Sequence, residues 1–89
     1  MCNIAFDCDE CLIENGEPIE ANVELLKVLS KTHKIYLWSG NGYKHAMEVG
    51  VELGLSSIIS GVLNKYNTFI PDIAFDNQEI KLGKIDIKI

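Results

Sequence analysis

Residues 3–11 are Asn3-Ile4-Ala5-Phe6-Asp7-Cys8-Asp9-Glu10-Cys11, a short apolar run that ends at two carboxylates spaced i, i+2. The apolar run predicts a buried β-strand. In an open α/β sheet, ligands bind outside the carboxyl ends of the strands, where Asp7 and Asp9 would emerge. Two neighbouring carboxylates repel each other, so they need a cation or a raised pKa. The stretch therefore indicates either a cation site or, more simply, an acidic turn after a strand.

The rest of the chain predicts further strands that alternate with helices. We expect helices over residues 18–31 and 43–53, because apolar residues recur there at helical spacing. Pro18 suits the first turn of the earlier helix. Later strands are predicted at residues 34–38, 57–60, 72–76 and 84–89, the last as an exposed edge strand. Residues 62–69 are interpreted as a loop with one helical turn, and Asn15-Gly16 suits a tight hairpin turn.

Strands separated by helices predict a parallel sheet with right-handed crossovers. We expect an α/β fold, a small Rossmann-like three-layer sandwich of about five strands, in a single domain over residues 1–89. If the first strand is central, the two helices cover one face and only residues 62–69 cover the other. Parallel sheets are normally buried on both faces. We therefore hypothesise that a homodimer or another partner covers the second face.

Composition and charge exclude some classes of function. The 89 residues carry a net charge of −5, and all eight basic residues are lysines. This balance argues against nucleic-acid binding, which normally needs a basic stripe. No apolar stretch approaches the roughly 18 residues that span a bilayer, and the first residues lack the pattern of a secretory signal. We expect a cytoplasmic protein without a membrane segment.

Two of the three cysteines form a C-x-x-C motif, Cys8-Asp9-Glu10-Cys11. A zinc site needs further ligands, but His33 and His45 have no paired spacing and are interpreted as surface residues. A thioredoxin-type motif opens a helix directly, whereas this one continues into a predicted loop at residues 12–16. Reduced, partly buried thiols are the interpretation that we prefer to a redox site.

Polar side chains mark the ends of the predicted strands. Besides Asp7 and Asp9, they are Ser39, Lys65 and the pair Asp76-Asn77. In one parallel sheet, these side chains would converge on one crevice. Carboxylates, a hydroxyl and a lysine form a coherent set for Mg²⁺-assisted phosphoryl transfer, because Mg²⁺ prefers oxygen ligands. A carboxylate that attacks phosphorus divides a hydrolysis into two easier steps.

The sequence resembles the haloacid dehalogenase (HAD) superfamily of phosphohydrolases in four short motifs. Residues 4–11 are similar to its first motif, an apolar strand followed by D-x-D-x-[TV], with Cys11 at the usual Thr or Val. Leu37-Trp38-Ser39 is similar to the second motif and Lys65 to the third. Residues 73–77 are similar to the fourth motif, an apolar strand that ends in an acidic pair.

The resemblance implies a Mg²⁺-dependent phosphomonoester hydrolase with a phosphorylated substrate. Asp7 would be the nucleophile and a metal ligand. Asp9 would be the general acid and later the base, with its backbone carbonyl on the metal. Lys65 would neutralise charge on the nucleophile and the phosphate. No insertion is long enough for a cap domain, so the resemblance implies a capless member with an open site.

The remaining motif positions imply substrate and metal contacts. The Ser39 hydroxyl and the Gly40 amide would hold phosphoryl oxygens, although Ser39 could also be a helix N-cap. Asn41 stands where related short proteins often have arginine, which predicts lower phosphate affinity. Asp76 would complete the metal site. Asn77 replaces the second acid, which should weaken metal binding without abolishing it.

Two other classes stay open. The first is a degenerate HAD-like domain with little turnover, which would serve as a metal-binding or protein-interaction module. Glu10, Asn77 and the missing arginine favour this class. The second is a phospho-acceptor domain of receiver type, which also uses clustered acids, a hydroxyl and a lysine. That fold needs its acceptor aspartate at the end of the third strand, where Ser60-Gly61 stands.

Overall fold

A computed structural model describes residues 2–66 and 69–89 of the chain, and within them seven strands and two helices. In chain order these elements are β1 (Asn3–Asp7), β2 (Ile13–Glu14), β3 (Glu17–Pro18), α1 (Glu20–Ser30), β4 (Lys34–Ser39), α2 (Tyr43–Glu52), β5 (Gly61–Asn64), β6 (Ile73–Asp76) and β7 (Ile85–Lys88). Neither helix in these described ranges is long and apolar enough to cross a membrane.

Five of the strands form one parallel sheet in the order β5-β4-β1-β6-β7. The predicted α/β class is therefore confirmed, with β1 at the centre of the sheet. All five strands run in the same direction, so their carboxyl ends meet at one edge. Asp7, Ser39 and Asp76 are the last residues of β1, β4 and β6.

The main core lies between the sheet and the two helices. Ile4 and Phe6 of β1 point to this face, as expected from the alternation of side chains along a strand, and the Phe6 ring stacks on that of Phe75 at 4.6 Å. The helices contribute mainly Val23, Leu26, Ala46 and Val49. A Cβ at Gly50 would lie 3.1 Å from the Leu37 side chain, so glycine lets α2 pack close to β4 without displacing that side chain.

The opposite face of the sheet carries a smaller core. Its centre consists of Ala5, Trp38 and Ala74, and Leu63, Ile80 and Leu82 pack against them. Small residues leave room for the large indole of Trp38. In the described ranges, both helices lie on the other face, so segments without helix cover this one.

The structure corrects the predicted third strand. Residues 57–60 are not a strand, and β5 instead begins at Gly61 and pairs with β4. Ile58 and Ile59 donate their backbone N–H groups to the Leu55 carbonyl, which places both residues in a turn after α2. Their β-branched side chains favour a strand locally, but the chain must first turn back from the helix. The predicted loop at residues 62–69 is wrong for 62–64, and residues 67 and 68 lie outside the described ranges.

The segment after β1 forms the small hairpin β2-β3. Asn15 and Gly16 occupy its turn with φ values of 52° and 77°, as a type I′ turn requires. The expected hairpin is therefore confirmed. Pro18, however, pairs with Ile13 in this hairpin, and α1 begins only at Glu20. The prediction that Pro18 lies in the first turn of the helix is therefore wrong.

Candidate active site

The predicted site residues come together in one cleft at the carboxyl edge of the sheet. The cleft has a volume of about 270 Å³. Its lining includes all eight residues singled out from the sequence, which are Asp7, Asp9, Ser39, Gly40, Asn41, Lys65, Asp76 and Asn77. The last residues of three parallel strands and the loops after four strands supply them, as expected for the ligand edge of an α/β sheet.

A buried ion-pair cluster lies at the base of the cleft. The Lys65 Nζ atom is 3.1 Å from Asp7 Oδ1 and 2.7 Å from Asp76 Oδ2. The three side chains are only 7%, 9% and 2% exposed, respectively. The second oxygen of Asp76 accepts the backbone N–H of Gln78 at 2.9 Å. We call Asp7, Lys65 and Asp76 the buried triad; it contains two carboxylates and one ammonium group.

Burial and neighbouring charges shift the pKa values of Asp7 and Lys65. Burial raises the pKa of Asp7, and neighbouring Asp76 raises it further, although the ammonium of Lys65 acts in the opposite direction. Burial alone would lower the pKa of Lys65, but its hydrogen bonds to Asp76 and Asp7 outweigh burial and raise the pKa. Lys65 therefore keeps its proton at neutral pH, and it compensates part of the cost of holding Asp7 ionised.

Asp9 lies at the rim of the cleft with two partners. His45 Nε2 is 2.9 and 3.0 Å from the two carboxylate oxygens, and Asn41 Nδ2 donates to Oδ2 at 2.9 Å. Burial acts to raise the pKa of Asp9, but the hydrogen bonds of His45 and Asn41 outweigh it and lower the pKa. Asp9 is therefore ionised at neutral pH, which is the form that can accept a proton.

The loop after β4 presents groups that suit an anion. Ser39 Oγ accepts the backbone N–H of Asn41 at 3.0 Å, so its hydroxyl proton can point to a ligand oxygen. Gly42, not Ser39, is the N-cap of α2, which rules out the helix-cap alternative for this serine. Gly40 is exposed, and no atom of the residues that the structure describes lies within 4 Å of the place of a Cβ, so its backbone is accessible.

Sequence reasoning missed two contacts in the cleft. His45 is not merely a surface residue, because it binds Asp9. The position of His45 in the sequence is a signal for this contact, because His45 is the third residue of α2, which begins at the edge where the strand ends meet. Glu10 accepts a hydrogen bond from Asn77 Nδ2 at 3.0 Å, and its φ of 60° is unusual for a residue with a side chain.

Two carboxylates of the buried triad have the donor chemistry that Mg²⁺ prefers. In the described part of the chain, no group of three or more His, Cys, Asp or Glu side chains is arranged to hold a metal. Asp7 and Asp76 nevertheless direct carboxylate oxygens to one position, where Lys65 now neutralises them. Mg²⁺ is commonly bound by one or two carboxylates together with water and substrate phosphate. The two acids meet this requirement.

The C-x-x-C motif is structural. Cys8 and Cys11 are free and buried, as the sequence indicated. Burial raises the pKa of the Cys8 thiol to about 12 and acts in the same direction on Cys11. The Cys8 carbonyl accepts backbone N–H groups of Cys11, Leu12 and Ile13, which forms the tight turn before the hairpin. These thiols are therefore poorly reactive.

Thiol labelling tests this assignment. With an aromatic disulfide reagent at mildly alkaline pH, we expect one fast-reacting thiol, that of the partly exposed Cys2. Cys8 and Cys11 should react only after denaturation, because the native fold buries them and disfavours their thiolates. The Cys2→Ser variant is the control and should show no fast phase. Rapid labelling of that variant in its native state would contradict the assignment.

Comparison with known proteins identifies no family. No family model matches the chain, and no solved structure matches it. The chain is similar to 5-oxoprolinase of Saccharomyces cerevisiae, with 28% identity over 75 residues that cover 80% of this chain. The chain spans only about 6% of the length of that protein. At this identity and coverage, the similarity does not define a family for the chain.

Proposed function

We propose that the chain is a small Mg²⁺-dependent phosphomonoester hydrolase of the HAD type that acts through an aspartyl-phosphate on Asp7. The observation that carries this proposal is the buried triad at the base of a cleft, beside the Ser39 hydroxyl. A carboxylate at the end of a central strand, a fixed ammonium and an anion-binding loop are the parts that phosphoryl transfer to a carboxylate needs.

In the first step, a carboxylate oxygen of Asp7 attacks phosphorus and the bond to the leaving oxygen breaks. Lys65 reduces the repulsion between Asp7 and the phosphate dianion, because its ammonium lies 3.1 Å from the attacking carboxylate. The Ser39 hydroxyl and the Gly40 amide hold phosphoryl oxygens. These contacts position the phosphorus for attack and stabilise charge on its oxygens.

Asp9 handles the proton in both steps. Its lowered pKa keeps Asp9 ionised, which is the form that must remove a proton from the water that hydrolyses the aspartyl-phosphate in the second step. In the first step Asp9 must donate a proton to the leaving oxygen. A bound phosphate places negative charge near Asp9, which raises its pKa and favours uptake of that proton.

Mg²⁺ would be held by the carboxylates of Asp7 and Asp76 and by the backbone carbonyl of Asp9. When bound, it would supply positive charge between the acidic side chains and the phosphate. Asn77 would offer only a neutral amide oxygen where a second carboxylate is usual, and its amide nitrogen donates to Glu10. This arrangement predicts a weak metal site. A cytoplasmic location belongs to the same proposal.

One observation favours a second candidate, a degenerate HAD-like domain with little turnover. Lys65 already satisfies both Asp7 and Asp76, and Glu10 holds Asn77, so the acidic groups have partners without a metal or substrate. Such a domain would serve as a metal-binding or protein-interaction module.

Metal removal distinguishes the two candidates. We expect hydrolysis of a panel of phosphomonoesters in the presence of Mg²⁺, loss of that activity with EDTA, and recovery when excess Mg²⁺ is added. Intact-protein mass spectrometry after an acid quench should detect a phosphoryl adduct on the chain. Activity that EDTA leaves unchanged would contradict the metal requirement. Absence of turnover across the panel would favour the degenerate domain.

A further inference from the structure

The edge strand β7 presents an open row of backbone groups. Ile85 and Ile89 donate their N–H groups to the carbonyls of Asp72 and Asp76, on the side of β6. Because backbone groups alternate in direction along a strand, those of Asp86 and Lys88 point away from the sheet. An open edge of this kind is a template for pairing with another strand.

The side chains of β7 alternate in character across its two faces. Ile85 and Ile87 lie on the face that carries the helices and are 57% and 38% exposed. Asp86 and Lys88 lie on the opposite face and carry opposite charges. Asp86 Oδ1 accepts the backbone N–H groups of Leu82 and Gly83, which fixes its carboxylate at the edge of the sheet.

We propose that β7 pairs antiparallel with β7 of a second copy of this chain, with Ile87 on the two-fold axis. In this register Asp86 lies opposite the partner's Lys88, and the pair occurs twice. These residues carry the outward backbone groups, so each pair is also a hydrogen-bonded pair of the ladder. Ile85 lies opposite the partner's Ile89, which extends the apolar row across the junction.

Charge favours this register over the one centred on Asp86, and the Lys84 variant below tests the remaining register, with its axis at Ile85 and Lys84 opposite the partner's Asp86. A two-fold axis at Asp86 would place two aspartates opposite each other and Lys84 opposite the partner's Lys88. Like charges directly opposite in a ladder are destabilising, whereas opposite charges stabilise it. The self-complementary order of Asp86 and Lys88 therefore favours a second copy over an unrelated strand. This inference is independent of the proposed activity.

Charge reversal at one position tests the register. Light scattering and sedimentation equilibrium should show a dimer of the wild-type chain. Lys88→Glu creates two like-charge pairs with Asp86 and should raise the dissociation constant about tenfold. Lys84→Glu is the matched control, because Lys84 lies outside the paired residues, and it should leave the constant unchanged. Tighter association of both variants would indicate the register centred on Asp86, and weaker association of Lys84→Glu alone would indicate the one centred on Ile85; either result would overturn the proposal.

Disulfide crosslinking provides an independent measurement. In a Cys2→Ser background, Ile87→Cys places a thiol opposite its own copy in a non-hydrogen-bonded pair, where Cα atoms about 4.5 Å apart permit a disulfide. Oxidation should crosslink this variant rapidly. Ile85→Cys, at the more exposed position, should crosslink slowly because its opposite residue is the partner's Ile89. The proposal would be overturned if the wild type were monomeric. It would also be overturned if Ile85→Cys, at the more exposed position, crosslinked faster than Ile87→Cys.

Discussion

Asp7→Asn is expected to reduce the Mg²⁺-dependent hydrolysis of phosphomonoesters by roughly 10³-fold or more in kcat. The amide retains the shape of the carboxylate but is a far weaker nucleophile, and it gives up one charge that a metal ion would need. The variant should nevertheless stay folded. Since burial raises the pKa of Asp7, its ionised form is disfavoured in the native state, and a neutral side chain of the same size relieves that cost.

The control for this variant is Asp72→Asn, the same chemical change at the opposite edge of the sheet. Asp72 accepts the backbone N–H of Asn3 and pairs with Lys84, outside the cleft. The Asp72→Asn variant should retain the kcat of the wild type. Steady-state assays with Mg²⁺, together with thermal unfolding of each variant, separate loss of chemistry from loss of fold. If Asp7→Asn hydrolysed the substrate as fast as the wild type, Asp7 would not be the nucleophile.

Lys65→Met is expected to lower the free energy of unfolding by about 3 kcal/mol. The substitution keeps the length of the side chain but removes the ammonium that lies between two buried carboxylates. Asp7 and Asp76 would then repel each other in a site that excludes most water, unless one of them takes up a proton. Chemical denaturation at neutral pH measures the loss.

Lys84→Met is the matched control for this stability measurement. Lys84 also pairs with an aspartate, at 3.3 Å, but its side chain is 71% exposed. Exposed ion pairs contribute little, so we expect a change within about 0.5 kcal/mol. If the two variants lost similar amounts of unfolding free energy, burial would not determine how much the triad contributes to stability.

The difference in unfolding free energy between the wild type and Lys65→Met is expected to depend on pH. The native fold raises the pKa of Lys65 above its ordinary value of 10.5. A raised pKa means that the stabilisation is fully present below pH 10.5 and is lost as the pH rises through the folded-state pKa. The difference between the wild type and Lys65→Met should therefore shrink in strongly alkaline buffer. A difference that stays constant there would contradict the role of the ammonium.

Much of the fold follows from the local pattern of the sequence. The central strand, both helices and the edge strand β7 have strong periodicity or clear boundaries, and all are present. The position of β5 could not be predicted in this way. Ile58-Ile59 has higher strand propensity than Gly61 or Asn64, yet the strand begins only where the chain, after turning back from α2, comes alongside β4. Tertiary context overrides propensity there.

The convergence of the site residues followed from topology, since parallel strands deliver their carboxyl ends to one edge. Which of these side chains contact each other did not follow from topology. The bridging of both Asp7 and Asp76 by Lys65 depends on the path of the chain after β5, for which a sequence pattern gives no distance. The contact between His45 and Asp9 depends on the rotation of α2 about its axis. Side-chain partners at a strand edge are set by such placements, and charge pattern alone does not specify them.

The strand order also constrains how the sheet can assemble as the chain folds. Residues up to Asn64 contain three adjacent strands and both helices, so most of the main core can form before β6 and β7 join the sheet. The two strands beyond β1 are added afterwards, and only then does Asp76 reach Lys65. Until β6 joins the sheet, the ammonium of Lys65 has only the carboxylate of Asp7 as a partner, so the buried triad is completed late in assembly.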